Sequence, residues 1–331
     1  LKKIAVVILN WNGAKLLKEF LPSVVNYSQE ATVYVVDNAS TDNSILVLKE
    51  KFPSVKIIQN KANYGFAQGY NEGLQFVEEE IYCLVNSDIE VTENWLTPIL
   101  NLFDKNPNTA IIQPKILDYK SKAYFEYAGA AGGFIDKFGY PFCRGRIFDT
   151  IEKDNGQYND IAKVFWASGA CFFIRKEVYR ELNGFDADFF AHQEEIDLCW
   201  RSFNRNYDTF YCGLSTVYHL GGATLATSNP KKTFLNFRNS LLMLTKNLPS
   251  NKLIIIIIGR MILDGIAGIQ FLIKGKFKHF FAILKAHFSF YALLIKTIRK
   301  RTSKIKTNYY KINSIVYAYF VKNCTIFVDK F

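Results

Sequence analysis

The chain has 331 residues, 49% apolar, 16% aromatic and 21% charged, which allows one large or two modest domains and excludes a disordered or collagen-like polymer. Its formal charge of +11 is unevenly placed: Gly265 to Phe331 holds 13 Lys and Arg against one acid, Asp329, while residues 1–264 hold 28 bases and 29 acids. Basic charge confined to an Ile-, Leu- and Phe-rich stretch suits an anionic membrane surface and argues against nucleic acid, whose sites lie on polar faces. Six cysteines without a C-x-x-C pair are expected to be buried, reduced thiols of a cytoplasmic protein. The apolar run Ile4–Leu9 is too short for a secretion signal. Leu1 is not an initiator, so an initiator Met or a few residues are expected before it.

The first half alternates strand and helix patterns. Ile4–Leu9, Thr32–Val36, Val55–Gln59, Ile81–Val85 and Ala110–Leu117 read as buried strands. Helices are predicted over Ala14–Tyr27, Asn43–Phe52, Phe66–Glu80 and from a Thr92 cap to Lys105. This is the pattern of a parallel α/β sheet, in which ligands bind beyond the carboxyl ends of the strands. Asn10, Asn12, Asp37, Asn63 and Asp88 all fall at or just after such ends. Residues 118–163 read as a long Gly- and aromatic-rich connection covering a site. A strand at Gly169–Ile174, helices near Lys176–Leu182 and from Gln193, and strands at Thr209–Tyr211 and Thr216–His219 follow.

Three clusters could carry chemistry. Asn86-Ser87-Asp88 ends a buried strand, where it either holds a divalent cation beside a diphosphate or simply turns the chain. Glu194, Glu195 and Asp197 crowd three carboxylates into four positions. They complement a helix N-terminus, or raise one another's pKa to make a general base. His219 follows a strand and precedes Gly221-Gly222; it is a ligand or a structural histidine. Gly65, Gly69 and Gly73 form one smooth helical stripe, for packing or for a ligand. No G-x-G-x-x-G, Walker or G-x-S-x-G sequence is present.

Seven segments occur in order: VVILNWNG, VVDNASTDNS, NYGFAQGYNEG, LVNSDIEV, WASGACFFIRKE, GFDADFFAHQEEIDLCWR and VYHLGG. Together they resemble the family 2 glycosyltransferases, specifically the bacterial rhamnosyltransferase-like branch, over about residues 3–245. The resemblance implies a GT-A fold: a Rossmann-like, mostly parallel central sheet flanked by helices. Residues 1–117 would be the nucleotide-sugar half, 118–228 the acceptor half, and 229–331 a helical, basic, membrane-associating region. It further implies that Asn10, Asn12, Asp37, Asn63, Gly65, Asn71, Asn86 and Ser87 surround the nucleotide and diphosphate. Asp88 and His219 would approach Mg²⁺ or Mn²⁺, with Asn86 standing where the family has the first acid of its D-x-D. Glu195 takes the place of the base, with Asp197 and Glu194 as rivals. Beside the resemblance, Trp166 and the aromatic 124–148 segment either form an acceptor platform or pack the core, Glu194 is a further acceptor residue, and Arg144 and Arg146 contact phosphate or are solvated. The implied reaction is an inverting transfer from a UDP- or dTDP-sugar, rhamnose among them, to a hydroxyl of a cell-surface glycan or lipid-linked acceptor. A catalytically silent binding protein of the same fold and a sugar nucleotidyltransferase are the rivals.

In the tail, Leu253–Ile273 is long enough to cross a bilayer but is interrupted by Arg260 and Asp264, four apart and able to pair on one helical face. Lys274, Lys278, Lys285, Ser289, Lys296 and Lys300 project within about 80° of one another. That predicts an in-plane interfacial helix with its Lys stripe on anionic lipid; the alternative is docking on the enzyme. A chain ending near Pro249 is expected to stay folded and leave the membrane.

Overall fold

An aliphatic run with no polar interruption must be covered on both faces, and β1 (Ile4–Asn10) lies at the centre of a parallel sheet. The computed structural model describes residues 3–221, 229–302 and 304–328; Gly222 and the expected boundary at 228 fall outside them. After β1 come α1 (Ala14–Tyr27), β2 (Ala31–Asp37), α2 (Ser44–Lys51), β3 (Lys56–Gln59), α3 (Gly65–Gly73) and β4 (Ile81–Asn86). They form the parallel order β3-β2-β1-β4. The register sets Asn10 opposite Asp37 and Leu9 opposite Asn86, so three polar strand ends share one edge of the sheet.

The second half is mixed, not parallel. It runs β5 (Ile89–Val91), α4 (Thr97–Lys105), β6 (Thr109–Asp118), β7 (Gly133–Ile135), β8 (Pro141–Cys143), β9 (Arg146–Ile147), β10 (Thr150–Ile151), β11 (Ile161–Val164), β12 (Cys171–Arg175), α5 (Lys176–Glu181), α6 (Glu194–Asn204) and β13 (Asp208–His219). β12 inserts antiparallel between β4 and β6, β13 runs parallel to β6, and β11 and β5 pair antiparallel with β13.

Several expectations shift. The predicted third helix stops at Gly73 and passes through a 3₁₀ turn at Leu74–Phe76. A Cβ on Gly73 would come within 2.5 Å of Val36 and one on Gly69 within 3.1 Å of Leu9, so these two glycines lay α3 against the sheet at the cost of helix propensity. Thr92 does not cap α4; its hydroxyl donates to the Thr216 carbonyl at 2.8 Å. The two strands expected after 208 are one, irregular between Cys212 and Thr216. Residues 118–163 are not a loose cover: β7 to β10 make a small antiparallel sheet.

The C-terminal helices are α7 (Pro230–Asn247), α8 (Ser250–Ile273), α9 (Phe277–Arg299) and α10 (Ile315–Phe320). α9 packs along α7, and α8 against α9. Arg260 and Asp264 do not pair with each other. Both point inward: Arg260 bonds Ser240 and the Phe138 carbonyl and stacks on Tyr140, and Asp264 lies 3.1 Å from His287. The Lys stripe is only partly free, because Lys296 and Lys300 reach Asp188 and Asp186 on the α/β body. Beyond α9, Arg301 donates to the Thr245 and Leu248 carbonyls. Phe327 stacks on Phe134 at 5.6 Å.

A buried ion network ties this region to the sheet. Asp197, fully buried on α6, accepts from Arg201 at 2.7 Å, Lys246 at 2.9 Å and Asn247 at 2.8 Å. Burial alone would raise its pKa; Arg201 and Lys246 outweigh that and hold it low. Lys246 also bonds Asp186 at 2.8 Å.

Two outcomes follow. Asp197→Asn should destabilise by about 3 kcal/mol, the low end for breaking a buried pair because Lys246 keeps Asp186; a denaturant midpoint moved by less than the lost-cap scale of about 1 kcal/mol would contradict it. A chain cut after Pro249 loses α8 and α9 and uncovers α7, so, contrary to the sequence expectation, it should not survive as a folded monomer. Circular dichroism and gel filtration of that fragment decide the point.

Candidate active site

The strand-end edge carries the first group of polar side chains. Asn10 donates to Asp37 at 3.1 Å and to Ser40 at 3.2 Å, and its buried Oδ1 has no partner among the described residues. Asp37 is buried and also accepts from the Ser40 amide. Asn12, with φ at +50°, accepts from the Thr41 amide at 2.7 Å and so fixes the 38–42 turn over β1. Asn63 is exposed and accepts from Asn38 and Gly65.

Asn86, Ser87 and Asp88 follow β4. The antiparallel pairing of β5 with β13 sets His219 opposite Ile89 and thereby carries a residue 131 positions away onto Asp88. His219 Nε2 lies 3.2 Å from Asp88 and 3.4 Å from the Asn86 amide nitrogen, and Nδ1 lies 3.3 Å from Glu126. Burial pulls His219 down, but its bonds to Asp88 and Glu126 prevail and push it up to about 10. The imidazole is therefore a cation between two buried carboxylates. Glu126 went unnoticed in the sequence, because it lies in the long connection and only the fold brings it here. Lys232, half-buried in the first turn of α7, is a second omission. Burial lowers it while Glu126 opposes that shift.

Asp88 and Asn86 offer hard oxygen donors of the kind that Mg²⁺ or Mn²⁺ takes together with substrate phosphate oxygens, and His219, a cation here, would have to release its proton before its Nε2 could join them. Among the described residues no cluster of three or more acidic, His or Cys side chains makes a complete metal cage.

Glu195 stands one strand away. The Asn86 amide bonds the Ala170 carbonyl at 2.9 Å, and a Cβ on Gly169 would lie 3.7 Å from Glu195. Glu195 opens α6 with Glu194 before it, and one oxygen of each carboxyl is buried without a hydrogen-bond partner among the described residues. Burial drives both upward. Glu195 reaches about 7, held back by amides at the helix N-terminus and Gly169; Glu194, pushed further by Glu195, goes well above the usual carboxylate range.

The approach to α6 is strained. Phe190, His192 and Gln193 have φ of +64°, +70° and +74°, a region that costs L-residues on the order of 1–3 kcal/mol each. α7 and α3 hold it. Asn239 lies within 2.9 Å of the Phe189, Ala191 and His192 carbonyls, and Arg238 bonds those of Asp188 and Phe189. The amides of Phe66 and Ala67, at the N-terminus of α3, donate to the Phe190 carbonyl.

Other predicted site residues lie elsewhere in the packing. Gly65, with φ at +75°, abuts the Phe190 ring, and the helix end it opens is already occupied. Asn71 accepts from Tyr179 and the Phe185 amide and donates to the Phe185 carbonyl. Trp166 is buried over Gly133 with its indole N–H on the Phe134 carbonyl, so it is no exposed acceptor platform. Arg144 and Arg146 are neither solvated nor poised for phosphate: the first pairs with Asp160, the second stacks on Tyr127, and both are buried. Asp197 has both oxygens committed to the network above.

With this geometry in hand, the relatives are informative. N-acetylglucosaminyl-diphospho-decaprenol L-rhamnosyltransferase of Mycobacterium tuberculosis is 22% identical over 233 residues, covering 65% of this chain and 75% of that protein. Among solved structures, GalNAc-T7 with UDP, GalNAc and Mn²⁺ gives a TM-score of 0.59 at 17% identity, covering 76% of this chain but only 49% of that one. The mannosyltransferase PcManGT of Pyrobaculum calidifontis, in complex with GDP-Man and Mn²⁺, gives 0.53 at 13% identity, covering 88% and 75%. Both likenesses show a shared GT-A fold. The sequence profile "Glycosyl transferase family 2" matches residues 5–182, more than half of the chain, and the protein belongs to that family.

Proposed function

We propose that the protein transfers a sugar, with inversion, from a nucleotide-diphosphate sugar to a hydroxyl of a glycan or lipid-linked acceptor. The work would be done at the inner face of the cytoplasmic membrane. Residues 1–117 would hold the nucleotide and 118–228 the acceptor. UDP- and dTDP-sugars are the donors to test first, rhamnose included, since the mycobacterial relative is named for that transfer. The observation that carries the reading is Glu195: a carboxyl raised by burial to about 7 and one strand from the Asn86-Ser87-Asp88 turn.

In this reading Asn10, Asn12, Asp37 and Asn63 border the nucleotide, and Ser87 faces the diphosphate. Asp88 and Asn86, joined by His219 once its Nε2 gives up its proton, would hold Mg²⁺ or Mn²⁺, which when bound supplies positive charge to the departing diphosphate. Asp37, Asp88, Glu126 and, once ionised, Glu195 would otherwise meet that diphosphate with little beyond His219 and Lys232 to offset them. Glu195 takes the acceptor's hydroxyl proton as the oxygen bonds to the anomeric carbon and the bond from that carbon to the diphosphate breaks. Its pKa near working pH suits it to take and release that proton. Asp197, locked between Arg201 and Lys246, is a structural anchor here and not the base. Glu194 stays protonated and orients the acceptor.

A panel of UDP-, dTDP- and GDP-sugars with purified protein tests the reading; no transfer or slow hydrolysis from any donor would leave the silent binding protein. The base acts ionised, so turnover should rise with pH through about 7 and fall below it. Glu195→Gln should lower turnover by about 10²–10⁴ while nucleotide affinity and thermal stability at pH 8 are kept or improved, because a buried unpaired charge is removed. Normal turnover in that variant would refute the assignment. Asp88→Ala should abolish any gain in nucleotide affinity on adding Mg²⁺ or Mn²⁺, measured by calorimetry with and without EDTA.

A further inference from the structure

The hairpin of α8 and α9 has three kinds of surface. Its inner faces are closed: Ile256, Arg260, Asp264 and Gly268 of α8, and Ala282, Ile283, Ala286 and Phe290 of α9, are buried. The outer face of α8 shows Ile255, Ile258, Ile262, Ile266, Ile269 and Ile273, from 53% to 81% exposed. No charged residue is among the exposed positions from 254 to 273, since the two charges in that span point inward. On α9 the exposed row is Phe277, Phe281, Leu284, Phe288, Tyr291, Ile295 and Ile298, spaced alternately four and three apart and so within about 100° of the helix surface. Between the apolar row and the buried face of α9 runs the basic flank. At its far end Lys296 and Lys300 are tied to Asp188 and Asp186; at the turn Lys274, Lys276 and Lys278 stand exposed, and Lys285 follows two turns along α9.

We infer that the outer Ile/Phe face of this hairpin is a seat on an anionic lipid bilayer, lying in the membrane plane with the basic turn among the headgroups. The inference rests on the proposed membrane-side transfer for its purpose, but its structural grounds are separate. Apolar patches of this extent are not left in water by soluble monomers, and an apolar face edged by lysines is the pattern of an interfacial helix. Both helices are long and apolar enough to cross a membrane. Crossing would strip Arg260 from Ser240 and Phe138 on the body and set it in hydrocarbon with Asp264 and His287. A second copy on this face would bring a second basic flank against the first. The surface also differs from the one the sequence indicates: the far half of the Lys stripe grips the enzyme, and the apolar row leads.

The test is sedimentation of the full chain with vesicles of phosphatidylglycerol and phosphatidylcholine, and with phosphatidylcholine alone. Wild type should bind the anionic vesicles at least tenfold more tightly, and salt should release part of it. Ile266→Asp combined with Phe288→Asp should lose tenfold or more of that binding while keeping the wild-type melting temperature. Lys276→Glu combined with Lys278→Glu should lose the preference for anionic lipid. Lys296→Ala combined with Lys300→Ala should bind vesicles as wild type does but melt at lower temperature. Three results would overturn the inference: undiminished binding by the double Asp variant, binding to both vesicle types that only detergent releases (a spanning helix), or a lipid-free dimer that the double Asp variant splits, with no vesicle binding. None of these readouts uses a sugar donor, so a protein that binds vesicles but transfers nothing defeats the proposed reaction alone.

Discussion

Asp197 is the point on which the two parts of the molecule meet. A carboxylate with no solvent exposure survives only if its charge is answered nearby. Here Arg201 answers from the same helix and Lys246 from α7, with Asn247 completing the set. Lys246 passes the interaction to Asp186, Asp186 to Lys300, and Lys300 to Asp188, which Lys296 also reaches. One chain of alternating charge thus runs from the start of α6 to the end of α9. It crosses the segment that immediately precedes Glu195. Each acid in it meets two cations, one of them at least from α7 or the end of α9, so the helices after 229 are bound into the fold and are not a separable appendage.

That chain explains how the backbone tolerates three left-handed residues between 190 and 193. Left-handed φ at Phe190, His192 and Gln193 turns the chain sharply enough that Glu194 and Glu195 enter α6 facing Gly169. Asn239 and Arg238 take up the carbonyls that the turn exposes, and α3 caps the Phe190 carbonyl from the other side. Strain of this kind persists only where surrounding structure over-determines it. Here the restraints come from α3, α7 and α9, two of which lie in the C-terminal helical region. The same arrangement buries Glu194 and one carboxyl oxygen of Glu195, and that burial raises both pKa values.

Much of this was legible in the sequence where the signal is local. Buried strands with polar ends at Asn10, Asp37 and Asn86 are marked by aliphatic runs, and the parallel half of the sheet follows from them. The carboxylate crowd at 194–197 is equally visible. What the sequence does not display is which carboxylate is already neutralised, because Lys246 and Asn247 lie 50 positions from Asp197. Glu126 is invisible for the same reason: it meets His219 only because β6 and β13 run side by side. Trp166, Arg144 and Arg146 have the residue types of a binding surface, yet a glycine at 133, an aspartate at 160 and a tyrosine at 127 turn them into packing. The Lys stripe shows its periodicity in the sequence but not that Lys296 and Lys300 meet Asp188 and Asp186, more than 100 positions away.

The hairpin follows from that last point. A helix packed on a body by one face still has about two-thirds of its circumference to dispose of, and α9 divides it between lysines and aromatic or branched residues. If the lysines served solubility alone, they would be expected across the outermost arc, farthest from the body, where water access is greatest. They lie on the flank instead, and phenylalanine, leucine and isoleucine hold the outermost arc. The flank lysines nearest α6 are those engaged by Asp186 and Asp188, so the helix that presents the apolar row also supports the approach to Glu195. A force that lifted this hairpin off the body would have to break Lys296 and Lys300 from the acids before the strained turn, and so would reach Glu195 through three ion pairs and a short stretch of backbone.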